Sequence, residues 1–178
     1  MTAVRNIAVS ANERSTWYRF FSESFRYPSN AQADEVAIET DRPTGADFLA
    51  SFDPAVSSQA CSLYESDYTS IDRSAVFEEL VRFYSYFGLV RDTDAEPPDH
   101  LSVELEFMHF LTYLEHTSQE RGEALEGIRR AQHDFLSRHL LTILKGLKKK
   151  RTTNHVFYDR LLQDLRQFVD DELSIETA

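Results

Sequence analysis

The stretch Glu96-Pro97-Pro98-Asp99-His100-Leu101-Ser102-Val103-Glu104-Leu105-Glu106-Phe107-Met108-His109-Phe110-Leu111-Thr112-Tyr113-Leu114-Glu115-His116-Thr117 decides the fold. A proline turn leads into a helix predicted from about His100 to Thr117. At about 100° per residue, Val103, Phe107, Phe110, Leu111 and Leu114 share one sector, while Leu101, Leu105 and Met108 form a second. Ser102, Glu106, His109, Tyr113 and His116 take the polar face that is left. A helix apolar over most of its circumference belongs in the middle of a bundle. Glu104 and Glu115 fall between the apolar sectors. There they either meet an Arg from a neighbouring helix or reach water at a groove. Asp99 stands where an N-cap is expected, worth about 1 kcal/mol. His100 is then expected in the exposed first turn, near the positive dipole end.

The rest of the chain repeats the helical period. Ser10 to Glu13 reads as a capping box, followed by an apolar face of Trp17, Phe20, Phe21 and Phe25 that stops before Pro28. The segment Ser29 to Pro54 is mixed and fits one or two short helices, with breaks near Pro43-Thr44-Gly45 and Asp53-Pro54. Ala60, Leu63, Tyr64, Tyr68 and Ile71 read as a further helical face. Val76, Phe77, Leu80, Val81, Tyr84 and Phe87 follow, closed by Gly88 in a C′ position. Arg91 to Pro98 is a charged loop. One long helix carries Leu125 to Leu144, and the last carries Phe157 to Val169. No alternating run with hairpin residues competes. The expectation is a single all-α domain over residues 1–178, a compact bundle of about seven helices with its core at about 13–171.

Composition narrows the class. The chain has 178 residues, 42% of them hydrophobic, with 13 Phe and 8 Tyr, so rings must fill much of one core. Its one cysteine, Cys61, excludes an intrachain disulfide and reads as a small buried hydrophobe. The first ten residues lack the long apolar run of a signal peptide. No run of about 18 apolar residues marks a membrane span, so stable membrane insertion is not expected.

Net charge is −11, and it is uneven. Met1 to Glu120 holds 21 acidic and 8 basic residues; Arg121 to Ala178 holds 9 and 11. The first part attracts cations or basic peptides and repels nucleic acid, although surplus acid also serves solubility. All four lysines lie in Lys145 to Lys150, which suits the C-terminal end of a helix better than a phosphate site.

Catalytic patterns are absent. Glu106 and His109 form one Glu-x-x-His, but a di-iron site needs a second and two further glutamates. His133 and His139 do not share a helix face. There is no Gly-rich phosphate loop, Gly-x-Ser-x-Gly or Cys-x-x-Cys. The expectation is a non-enzyme with no metal and no cofactor.

Several segments resemble one family. Glu96-Pro97-Pro98-Asp99-His100 is similar to the signature of the TorD/DmsD/NarJ family of molybdoenzyme-specific chaperones. Trp17 to Pro28 resembles its aromatic first helix, ending in Tyr27-Pro28. Leu63-Tyr64-Glu65-Ser66-Asp67-Tyr68-Thr69-Ser70-Ile71 resembles a second motif, with Ser70-Ile71 in place of the usual Arg-Leu. Gln132 to Leu140 resembles an Asp-Phe-x-x-x-His-Leu helix, and Asn154 to Asp171 the closing helix. The Pro-Pro-Asp-His form is similar to the branch serving dimethylsulfide, selenate, chlorate and ethylbenzene oxidoreductases.

The resemblance implies a cytoplasmic, system-specific chaperone. Its partners would be the apo catalytic subunit of a molybdenum-cofactor oxidoreductase and that subunit's twin-arginine leader, with export delayed until the cofactor is inserted. It also implies a peptide-binding set of Asp99, His100, Glu104, Tyr64 and Tyr68, with Glu96, Pro97 and Pro98 setting the loop. A monomer and a domain-swapped dimer both stay open. Two alternatives stand beside it: a general helical adaptor, and an enzyme dependent on a metal or a nucleotide.

Overall fold

The computed structural model describes residues 9–28, 43–90, 92, 95–150 and 155–176. The chain start, the first part of the 29–54 segment, and Arg91, Thr93 and Asp94 of the charged loop lie outside the described residues. Among the described residues there are seven α-helical segments: α1 (Ala11–Ser24), α2 (Gly45–Phe52), α3 (Arg73–Tyr86), α4 (Leu101–Glu120), α5 (Glu126–Phe135), α6 (Leu141–Lys150) and α7 (Val156–Glu176). A five-residue π turn, Leu136–Leu140, joins α5 to α6 in one continuous rod, so the long helix expected over Leu125 to Leu144 is real.

Local chemistry explains several ends. At α1 the Ser10 hydroxyl accepts from the Glu13 N–H while the Glu13 carboxylate accepts from the Ser10 N–H, the reciprocal capping box. Thr44 and Asp47 repeat it at α2, which fills the space between the two sequence breaks. Helix α3 stops at Phe87 because Gly88 takes φ +75°, a left-handed conformation that costs glycine little.

Helix α4 occupies the centre. Leu101, Leu105, Met108 and Leu111 are fully buried along it. Helix α1 packs antiparallel against it. Small residues on α1 allow the close approach: Ser22 donates to the Ser102 carbonyl at 2.8 Å, and the Ser15 hydroxyl lies 2.8 Å from His109 Nδ1. Aromatic rings close the gaps. Tyr18 and Phe21 meet Phe168 of α7, and Phe48 and Phe52 meet Tyr158. The core face of α1 is therefore Tyr18, Phe21 and Phe25, while Trp17 and Phe20, expected on that face, are exposed and meet edge to face. The period is helical either way; partners on one side select which stripe is buried.

Residues 60–72 depart from expectation. They form an extended segment with a 3-10 turn at Glu65–Tyr68 rather than a helix. Backbone pairing is the cause. Tyr64 and His100 form an antiparallel bridge, the Leu101 N–H donates to the Leu63 carbonyl at 2.8 Å, and the Glu65 N–H donates to the Asp99 carbonyl at 2.9 Å. Ala60, Cys61 and Leu63 are buried, Tyr64 and Tyr68 are half-buried, and Ile71, expected on the same face, is exposed. Within this segment Tyr68 packs so tightly on α6 that a Cβ at Gly146 would collide with its ring.

Candidate functional site: two clefts over a buried acidic cluster

The bridge also resets the start of α4. Because the bridge holds His100 extended, directly after the turn closed by its own N–H on the Pro97 carbonyl, the N-cap is His100, whose Nδ1 accepts from the Ser102 N–H at 3.2 Å. Asp99, expected as the cap, instead faces the opposite segment: its Oδ2 accepts from the Ser66 hydroxyl at 2.6 Å and the Ser66 N–H at 3.3 Å. His100, expected to be exposed, is buried, with its ring edge-on to Tyr64 at 5.1 Å. Burial first, and the nearby Arg26 charge second, lower its pKa to about 4, so it is neutral at pH 7.

Beneath this segment lies an acidic cluster. Glu104 on α4 is fully buried, and neither carboxyl oxygen has a hydrogen-bond partner among the described residues. Burial pushes its pKa well above the carboxylate range, and the charges of Glu65 and Asp99 add to that. Glu65 is buried too, with Oε2 3.0 Å from His139 Nδ1 in the π turn. The other ring nitrogen of His139 lies 3.6 Å from Glu79, which also pairs with Arg138. The Tyr84 hydroxyl donates to the Pro98 carbonyl at 2.8 Å, tying α3 to the proline turn. Burial, then the charges of Glu104, Glu65 and Asp99, keep that hydroxyl protonated.

Two clefts open on either side of the proline turn, and Glu96 lines both. The first, of about 470 Å³, has apolar walls from Tyr84, Leu89, Val90, Val103, Phe107 and Phe110, with Glu106 at its edge. The second, of about 630 Å³, is more polar and is lined by Tyr64, His100, Asp53, Asp67 and Arg73. Of the residues the sequence singled out, Tyr64, His100, Glu96 and Pro98 line these clefts. Asp99 and Glu104 lie behind the clefts, fully buried. Tyr68 stands apart: its hydroxyl donates to the Ser62 carbonyl at 2.7 Å, against α6, and burial raises its pKa.

Sequence reasoning missed Glu65, Tyr84, Arg73 and His139. A signal existed for two of them. Glu65 lies in the Leu63 to Ile71 segment and His139 in the Gln132 to Leu140 segment, and these two segments meet the Asp99–Glu104 segment at this cluster.

A profile of the nitrate reductase delta subunit family matches residues 24–149. The chain belongs to the nitrate reductase delta subunit family. The chain is similar to the selenate reductase assembly chaperone protein of Thauera selenatis, 37% identical over 107 residues, which are 59% of this chain and 55% of that protein. The chlorate reductase assembly chaperone protein of Ideonella dechloratans is 30% identical over 131 residues, 72% of this chain and 68% of that one. The perchlorate reductase assembly chaperone protein of Dechloromonas aromatica (strain RCB) is 33% identical over 130 residues, 71% and 58% of the two chains. The first of these matches spans little more than half of the relative's length. The profile covers α2 to α6 and thus all of the cluster and both clefts. No helix among the described residues is long and apolar enough to cross a membrane.

Proposed function

We propose that this protein is a cytoplasmic assembly chaperone for a molybdenum-cofactor oxidoreductase, without catalytic activity of its own. It binds the twin-arginine leader of the catalytic subunit, in its apo form, and holds back export while the cofactor is inserted. The observation that carries this reading is the pair of clefts meeting at Glu96. A leader of this kind presents two guanidinium groups followed by an apolar stretch. A polar cleft bearing Asp53, Asp67 and Glu96 suits the first part, because carboxylates take guanidinium forks in paired hydrogen bonds. A cleft walled by Val90, Val103, Phe107 and Phe110 suits the second. Both volumes fall in the range of about 300–1,000 Å³ usual for binding pockets. The net charge of −11 favours encounter with a basic segment.

Within this reading His100 and Tyr64 form part of the polar cleft wall, and Glu96 with Pro97 and Pro98 forms the divider. Asp99 acts from behind by holding Ser66, and Glu104 by filling the space under the turn. Relatives named as assembly chaperones for selenate, chlorate and perchlorate reductases support the client class.

Calorimetric titration with a twin-arginine leader peptide, beside a control carrying Lys-Lys in place of Arg-Arg, tests it. Micromolar or tighter binding that the control weakens supports the reading. Equal affinity for both peptides removes the guanidinium role, and no binding to either removes the leader as ligand.

A further inference from the structure

Arg73 lines the polar cleft from a helix N-terminus. It is the first residue of α3, directly after the N-cap Asp72, whose carboxylate accepts from the Ser74 N–H at 2.9 Å. A helix N-terminus carries partial positive charge and disfavours a cation there. Arg73 is exposed and forms no ion pair among the described residues. Its guanidinium carbon lies 4.9 Å from the centroid of Phe77, one turn along the same helix, and 5.7 Å from the centroid of Tyr64, across the cleft wall. It is the only Lys or Arg among the described residues lining the polar cleft. The other titratable groups there are Asp53, Asp67, Glu96, Tyr27, Tyr64 and the neutral His100. An arginine thus lies over an aromatic face in an acidic cleft without being paired to any of its acids.

We propose that the face of Tyr64, walled by Asp67 and Glu96, is the guanidinium subsite of the polar cleft, and that Arg73 lies over it as a tethered competitor which an incoming arginine side chain displaces. This rests on the peptide-binding reading and names the side chain the cleft selects. The physical basis is the guanidinium itself: it is planar, weakly hydrated and stacks on aromatic faces, which an ammonium does less well. Arg73 then sets a threshold. A lone surface arginine gains little by replacing an identical group already in place. A peptide that also fills the apolar cleft has the extra contacts needed to displace it, which is selectivity through built-in competition.

The test uses the full chain and two small probes, arginine amide and lysine amide, followed by NMR shift titration. Arg73→Gln is expected to bind arginine amide about three- to tenfold more tightly than the unaltered protein. Lysine amide gains less than twofold. The gain disappears in Arg73→Gln/Tyr64→Leu and survives in Arg73→Gln/Tyr64→Phe, which keeps the ring. Adding Glu96→Gln to Arg73→Gln lowers it, a second check that holds if the leucine variant fails to fold. Unchanged or weaker arginine binding in Arg73→Gln overturns the proposal, as does an equal gain for both amides, which would mark simple charge removal. The leader titration is read separately. If no leader binds while the arginine-amide gain appears, the subsite stands and the leader reading falls; if the leader binds with Arg-Arg preference and Arg73→Gln changes nothing, the reverse holds.

Discussion

Glu104 and Glu115 sit on the same helix about three turns apart, are of one residue type and are equally hidden, at 0% and 3% exposure. Their surroundings drive them in opposite directions. Burial pulls both up. At Glu115 that pull is overcome by hydrogen bonds from Arg129 and Gln132 and by the charges of Arg14 and Arg129, so its carboxyl sits below the usual range. Arg14 also reaches Glu172 of α7 at 3.0 Å, and Tyr18 donates to the same residue. This end of α4 is a clamp joining α1, α4, α5 and α7. The other end brings three acids together under the proline turn, Glu104, Glu65 and Asp99, with His139 beside Glu65 and no Lys or Arg paired to any of them among the described residues. One end of the helix spends its buried charge on holding the bundle together. The other keeps unsatisfied acid beneath the clefts, at a cost in stability that a purely structural core would avoid.

The largest expected effect breaks the clamp. Arg14→Ala should cost about 3 kcal/mol in urea denaturation at pH 7, because it leaves two buried carboxylates short of a partner. A loss under about 1 kcal/mol would mean that Arg129 and Gln132 suffice alone. Next comes acid. The folded pKa of His100, about 4, lies below its unfolded value of about 6.5. Stability from its neutral form is therefore complete above pH 6.5 and falls as pH drops towards 4, by roughly 2–3 kcal/mol. Denaturation series at several pH values should show this fall shrinking in His100→Asn. A fall of equal size in the variant would assign it to other groups.

Glu104 has the opposite sign. Its folded pKa is raised, so the unfolded chain releases the proton first and stability declines as pH rises above about 4.3. Glu104→Gln should therefore stabilise the protein at pH 8 by about 1–2 kcal/mol, with the advantage vanishing near pH 4. A pH-independent difference would show that no proton is held there. The smallest effect on stability belongs to the cleft rim. Val90 is 92% exposed, so Val90→Asp should move stability by less than about 0.5 kcal/mol. In the leader titration it should still weaken binding about tenfold, the worth of about 1.4 kcal/mol of lost apolar contact. Unchanged binding would move the apolar segment of the ligand off this cleft.

The helices around this comparison were legible in the sequence because their signals are local. The box at Ser10 and Glu13, the Gly88 stop and the all-round apolar helix at Leu101–Glu120 each depend on residues within a turn or two. The site was legible only in outline. Tyr64, His100, Glu96 and Pro98 do line the clefts, but Asp99 as cap and His100 as a surface residue were misread. The reason is the pairing of Tyr64 with His100, a contact between residues far apart in the chain that has no local signature. The same pairing turned the helical spacing of residues 60–71 into an extended segment. Glu115 showed the reverse: a buried carboxylate met by arginines was one of the two arrangements open to it, and the structure chose that one.

By itself the sequence determined an acidic all-α bundle built around one central helix, because helical periodicity and capping act over three or four residues. It also carried the family resemblance in short motifs. Only the tertiary structure decided which of two equivalent glutamates would be paired with arginines and which left facing other acids. It alone brought Glu65, Asp99, Glu104 and His139 to one place under two clefts. Charge interactions depend on distance through space and on the water excluded between the groups, and neither quantity is written along the chain.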